Sequence, residues 1–323
     1  MKKIVTIALS ALLLLSLTAC GGEKKADTLT VGVIQYAPHP SLDNCYEGFV
    51  EGLAEAGYVV GENLEIKFEN AMGEPSTADT IAKNLTASKV DLICAIATPS
   101  AMSAYSATRQ SSIPVVFSAV SDPVAAGLVA SLDAPGSNAT GTSDQLNFDA
   151  QLQLIRAFLP EATTIGVLYT TSESNSISHL AEFEALAPHY GFTVEAIGIT
   201  DAASVGAGAQ ALVAKGVDCI NNFTDNNVVN QLSQLLKAAN DANIPVFGSE
   251  VEQVVNGCLA SESLDYVALG NATGQIAAEI LGGAKAAETA VQVSMDTSPV
   301  YNSEVAAALG IDLPSIVMED VAE

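Results

Sequence analysis

Strands and amphipathic helices alternate along almost the whole chain, and the order found in the first half returns in the second. Thr28–Ile34 is a run of β-branched and apolar residues, as in a strand buried on both faces. A helix is predicted over about Asn44–Ala56, where Phe49, Val50, Leu53 and Ala54 share one face and Gly57 supplies the stop. A strand near Leu64–Phe68, a helix near Thr77–Ser88 and the strand Val90–Ile96 come next. A helix starting at Thr98-Pro99-Ser100 then leads into the strand Ile113–Phe117. The second half reads as the strand Thr164–Tyr169, a helix through Leu180 to Tyr190, the strand Phe192–Ile197, the helix Val205–Ala214 and the strand Val217–Ile220. Its Val217-Asp218 repeats Val90-Asp91, and Ile244-Pro245-Val246 repeats Ile113-Pro114-Val115. Such alternation buries its apolar faces as parallel sheets with helices on both sides, so the expected fold is α/β with two similar lobes.

After Gly248 the chain has a strand-like run at Gly257–Ser261, a helix near Gly270–Leu281 and a final segment from Val291 to Val317. We read these as returns to the first and then the second lobe. The expected division is residues 28–142 with about 249–281 for the first lobe, and 143–248 with about 282–323 for the second.

Composition excludes several classes of function. The 323 residues suffice for two ordinary domains. Twelve Lys and Arg against a net charge of −25, with no basic cluster, argue against nucleic acid as a partner. Cys45, Cys94, Cys219 and Cys258 are widely spaced among apolar neighbours, with no Cys-x-x-Cys pair and no adjacent histidines. They read as small core residues rather than metal ligands, with their redox state left open. Phosphate loops, Gly-x-Ser-x-Gly and His clusters are missing, so neither metal nor cofactor is expected. Cys94 and Cys219 lie in corresponding strands, which raises a two-lobed racemase as the enzymatic alternative. Both sit within strands rather than beyond their ends, and their offsets from Asp91 and Asp218 differ, which argues against it.

At the N-terminus Lys2 and Lys3 precede an apolar stretch, Ile4–Leu17, too short to span a bilayer comfortably, which ends in Leu17-Thr18-Ala19-Cys20. Residues 1–19 read as an export signal. The tetrapeptide resembles the bacterial lipoprotein lipobox, and the resemblance implies lipidation of Cys20, a polar tether over residues 20–27, and a mature chain anchored on the extracytoplasmic side of the membrane.

In open parallel sheets, ligands bind beyond the carboxyl ends of the strands. Tyr36, His39, Ser41 and Asp43 follow the first strand, Asn70 the second, and Thr98, Pro99 and Ser100 the third. Thr98 is placed to cap the helix it opens, leaving free amides that favour a carboxylate. Ser121 and Asp122 follow Phe117, and Asp144 stands at the expected crossing between lobes. The second lobe offers Asn175, Asp225 and Asn226 at equivalent places. Carboxylates facing a helix start suit a zwitterion, the acids holding an ammonium and the amides and hydroxyls a carboxylate. Taken singly, each of these residues also reads as a helix cap or turn residue.

Gly32–Tyr36 with His39–Asp43 and Glu47-Gly48-Phe49 resembles the opening of the bacterial tryptophan-type ABC transporter substrate-binding lipoproteins. Ala97–Ala101, Ser121-Asp122-Pro123, Pro135–Gly141, Gly166–Tyr169, Ser172–Ser176 and Asp225-Asn226 follow in that family's order, from the lipobox to about Gly283. The resemblance implies the periplasmic-binding-protein type I fold: two flavodoxin-like lobes joined by three crossover segments and closing on a small ligand. It implies an aromatic amino acid as ligand, an ABC permease and its ATPase as partners, and a monomer. By position, Thr98 and Ser100 would meet the ligand carboxylate. Ser121 and Asp225 would hold its ammonium, with Asn70, Asp144 and Asn175 completing the polar ring, and Tyr36 and Leu42 would touch the side chain. A purine nucleoside or another heteroaromatic solute is the alternative ligand. Asn221–Thr224 is more polar than a buried strand should be.

Overall fold

The computed structural model describes residues 28–294 and 297–322. The export signal, Cys20 and the tether lie outside the described residues. The first lobe is built on β1 (Leu29–Gln35), β2 (Leu64–Asn70), β3 (Leu92–Ile96), β4 (Val115–Ser118) and β5 (Ala139–Ser143). These interleave with α1 (Pro40–Glu55), α2 (Pro75–Ala87) and α3 (Thr98–Thr108). After α4 (Phe148–Phe158), the second lobe adds β6 (Thr164–Thr170), α5 (Ser174–Leu186), β7 (Thr193–Ile199), α6 (Val205–Val213) and β8 (Cys219–Asn221). Then come α7 (Asn226–Asn230), α8 (Leu232–Asp241), β9 (Val246–Phe247), α9 (Val251–Val255) and β10 (Ala260–Ser263). The chain returns to the first lobe for α10 (Tyr266–Leu281) and β11 (Gln292–Val293), and ends in the second with β12 (Ser298–Tyr301), α11 (Ser303–Leu309) and β13 (Glu319–Asp320).

The first sheet runs β11-β5-β4-β3-β1-β2 and the second β7-β6-β8-β9, both parallel throughout. A short sheet, β10-β12-β13, finishes the second lobe, with β10 and β12 antiparallel. One core fills the first lobe around Val33, Ile93, Phe117 and Ile276, and two smaller ones flank the second sheet around Phe183 and Leu235.

The repeated Val-Asp pair has the same task in both lobes. Asp91 accepts the Thr30 amide at 2.7 Å, and Asp218 accepts those of Thr163 and Thr164 at 2.7 and 2.9 Å. Each carboxylate straps the start of its lobe's third strand to the start of the first. Backbone donors hold the Asp218 carboxyl below its ordinary range.

Crossing boundaries fall later than the sequence pattern places them. Val254, Cys258 and Leu259 pack in the second lobe's cores, and the Leu259 amide donates to Val246 O at 2.7 Å, so 249–263 continues the second lobe. Ala286 and Val291 belong to the first core, and β11 pairs with β5, so the chain stays in the first lobe beyond 281. Crossings follow β5, β10 and β11.

Helix α10 lies against α1 at backbone contact. A Cβ on Gly48 would stand 2.0 Å from Val267 O, and one on Gly270 2.2 Å from Cys45 O. Gly52 and Gly274, four residues on in each helix, face the partner as closely. Small residues spaced by four put one bare stripe on each helix, so the two backbones touch.

Candidate functional site

The strand ends of the two lobes meet around a small cavity with about 20 Å³ of free space. Ser41, Leu42, Thr98 and Ser121 line it from the first lobe, Asn175, Thr224, Asn226 and Glu250 from the second, and Asp144 from the first crossing. A larger cavity of about 810 Å³ lies at the opposite edge of the first lobe among Leu29, Tyr105, Arg109 and Lys285. It is an open trough lined by exposed cations, whereas the interlobe cavity concentrates buried polar atoms.

On the first-lobe wall the backbone is held in an unusual form. Ala97, between β3 and α3, has φ 75° and ψ 152°, a region that is essentially glycine's, and Ala119 after β4 has φ 54°. Such residues cost on the order of 1–3 kcal/mol each and persist where the surroundings impose them. Ala97, not Thr98, is the N-cap of α3 and makes no side-chain cap bond. Thr98 is therefore the first helical residue, freed to face the cavity. Ser100, one turn inside, is fully buried, and its Oγ has no hydrogen-bond partner among the described residues. Together with the first-turn amides, these hydroxyls make a neutral donor surface.

Facing it are carboxylates. Asp144 is buried and accepts from Ser121 Oγ at 3.1 Å and Tyr266 Oη at 3.0 Å. Burial raises its pKa above the ordinary carboxylate range. Glu250 is buried and accepts from Ser41 Oγ across the cleft and from Gln253 Nε2 at 2.7 Å. Desolvation, helped by neighbouring Glu252, pushes it up to about 8. Glu173, behind Asn175 and Asn226, is raised by burial and then by Asp225. Ion pairs among the described residues are exposed lysine contacts, Lys215–Glu195, Lys237–Asp241 and Lys285–Glu288. Among the described residues no Lys or Arg lines the cavity.

The polar run Asn221–Thr224 is a buried scaffold for this wall. Gln151 Nε2 donates to Asn221 Oδ1 at 2.7 Å and to Gly248 O at 2.9 Å, and Asn222 Nδ2 donates to Gln253 Oε1 at 2.9 Å. Gln253 passes the chain of bonds to Glu250. This polar strand therefore positions a carboxylate.

Further bonds tie the lobes across the mouth. Ser41 Oγ donates to Glu252 Oε2 at 3.0 Å and Asn44 Nδ2 to Glu252 Oε1 at 2.6 Å, both from α1. Ser178 Oγ donates to Asp122 Oδ2 at 3.2 Å on the other side.

Of the sequence-derived residues, Leu42, Thr98, Ser121, Asp144, Asn175 and Asn226 come together at the cavity. Ser100 is buried and is not part of the lining. Asp225 does not reach it: its carboxylate accepts from Thr170 N, Thr170 Oγ1, Ser176 Oγ and Val228 N at 2.6–3.0 Å, capping α7 and bracing β6. Asp122 lines a neighbouring cavity and receives the Ala125 amide at 2.9 Å. Asn70 accepts from Met72 N at 2.8 Å, a local turn bond. Tyr36 is buried behind the rim, and its hydroxyl donates to Gly73 O at 2.8 Å. Glu173, Glu250 and Tyr266 were not among the expected site residues. Glu250 follows β9 at a strand end, the position that exposed the others, but β9 is only two residues long. The four described cysteines are buried and unbridged.

A family model described as ABC transporter substrate binding protein matches residues 30–323. A tyrosine-binding protein of Clostridioides difficile (strain R20291) is 37% identical over 321 residues, 95% of this chain and 92% of that one. The crystal structure of an ABC domain in complex with L-Trp from Streptococcus pneumoniae is 37% identical, covers 90% of this chain and 97% of its own, and has a TM-score of 0.86. The ligand-free, open structure of a substrate binding protein with adhesive properties from Clostridium difficile is 40% identical over 90% of this chain and 99% of its own, with a TM-score of 0.68. The chain as a whole thus superposes better on the L-Trp complex, although the open protein is the more similar in sequence. Matched from its first strand to its end, with the two lobes and interlobe cleft that a closing receptor needs, this chain belongs to the ABC transporter substrate binding protein family.

Proposed function

We propose that the interlobe cavity binds one aromatic α-amino acid, tyrosine, phenylalanine or tryptophan, and that the lobes part to admit it. The observation that carries this reading is the make-up of the walls: the buried acids Asp144 and Glu250 line the cavity, and among the described residues no Lys or Arg does. Burial holds both carboxyls toward their protonated form, and an ammonium brought beside them supplies the partner their ionised form lacks. The ligand carboxylate would turn to Thr98, Ser100 and the first turn of α3, where donors are neutral and the helix end favours an anion. Leu42 and the ring of Tyr266 offer apolar surface for a side chain. The free space is about that of one water, so entry requires the lobes to separate about the three crossings. The names of the tyrosine-binding relative and the L-Trp complex agree with this ligand class.

In the cell, the same reading makes Cys20 a lipid anchor on the extracytoplasmic face, from which captured ligand passes to an ABC permease and its ATPase. No enzymatic role is proposed. Titration calorimetry of residues 28–323 against the aromatic amino acids should give one-to-one binding. Binding of a purine nucleoside in their place, or of neither, would overturn the ligand assignment.

A further inference from the structure

Glu173 does not line the cavity, yet its hydrogen bonds determine what the second-lobe wall presents there. It is the N-cap of α5 and is buried. Its Oε2 accepts from Asn226 Nδ2 at 2.7 Å, Asn226 N at 3.2 Å and Asn175 Nδ2 at 3.2 Å, and its Oε1 from Asn227 Nδ2 at 3.4 Å. All four contacts are N–H groups, so Glu173 acts toward them as an acceptor, whereas an asparagine side chain can donate from one end and accept at the other. Both cavity-lining asparagines must therefore turn nitrogen toward Glu173 and oxygen away. Asn175 Nδ2 also donates to Thr224 O at 3.3 Å, so both its protons are used. Its Oδ1 is left buried without a partner among the described residues, at the cavity. The Asn226 side chain meets His39, which faces it from the first lobe.

We infer that Glu173 is a positioning residue for ligand selection: by fixing the orientation of Asn175 and Asn226 it makes the second-lobe wall an acceptor surface. That wall selects an α-amino acid over the des-amino acid with the same side chain. This rests on the amino-acid reading of the cavity and adds the group that sets its preference. An unmet buried acceptor carries its full desolvation cost, so a ligand lacking the ammonium leaves Asn175 Oδ1 unpaired.

The test measures a ratio of affinities. L-phenylalanine, L-tyrosine and L-tryptophan, and the matching 3-arylpropanoates, are titrated into the wild-type chain and into Glu173→Gln. Glutamine keeps the shape but offers an N–H of its own, so Asn175 can turn its oxygen inward. Amino-acid affinity should fall about tenfold or more while arylpropanoate affinity holds or rises, collapsing the ratio. Asn175→Leu, which leaves Glu173 its Asn226 donors, should lose amino-acid affinity selectively even if E173Q folds poorly. Equal loss for both ligand classes in folded E173Q and N175L, or an unchanged ratio, overturns the role of Glu173. A wild-type chain that binds none of the six compounds would instead sink the amino-acid reading, and this assignment with it.

Discussion

At the scale of the residue, Glu250 ties pH to both stability and binding. Its carboxyl is raised to about 8 by burial and by Glu252. Because the folded pKa lies above the unfolded value of about 4.3, the folded state holds more protons between those limits. The associated stability is present below the unfolded pKa and is lost as pH rises through 8. Glu250→Gln should flatten the decline in melting temperature that runs from about pH 4.3 to about pH 8, and an unchanged profile would rule out the titration. An ammonium brought beside Glu250 favours its charged form, so binding near pH 7 should release protons. Binding heats measured in buffers of different ionisation enthalpy report that release directly. The place of Asp144 at the cavity was legible because it follows a strand at the crossing. Asp225 looked the same but lies off the cavity, since a short carboxylate after a strand serves equally as a helix cap, and its four donors show that it takes that place.

At the scale of the element, the seam between α1 and α10 leaves no room for a side chain. Gly48→Ala or Gly270→Ala must push the helices apart, at a cost of about 1–3 kcal/mol each. Chemical denaturation would show it as a lower midpoint, and a midpoint within error of the wild type would mean the helices can separate freely. Both helices were legible from their periodicity, and so were the parallel strands and the repeat of the Val-Asp pair, though not the strapping bonds its aspartates make. The assignment of 249–263 was not legible. It turns on a two-residue strand, β9, and on bonds from Leu259 and Gly248 that tie β9 to β10, and strands so short carry too few side chains to show a pattern. Polar Asn221 and Asn222 likewise misled the strand reading, because their partners Gln151 and Gln253 lie far away in sequence.

At the scale of the whole molecule, Ser41 and Asn44 on one lobe and Glu252 on the other form a latch beside the cavity mouth. Replacing Asn44, which does not line the cavity, by Ala removes its bond to Glu252, one made only when the lobes are together. Ligand release should then speed up about five- to tenfold with little change in association, as stopped-flow measurements can resolve. An effect confined to the association rate would argue against the latch.

The path of the chain between lobes also sets an order of completion. Helix α10, whose backbone touches α1, is separated from it by almost the whole second lobe, and β12, which pairs with β10, comes only after the chain has gone back to the first. A ribosome therefore supplies the closing piece of each lobe late. Neither core can be sealed while the chain is half made, so folding must wait for contacts distant in sequence, which is slow by nature. A nascent chain of this kind stays open long enough to be handled as an extended thread.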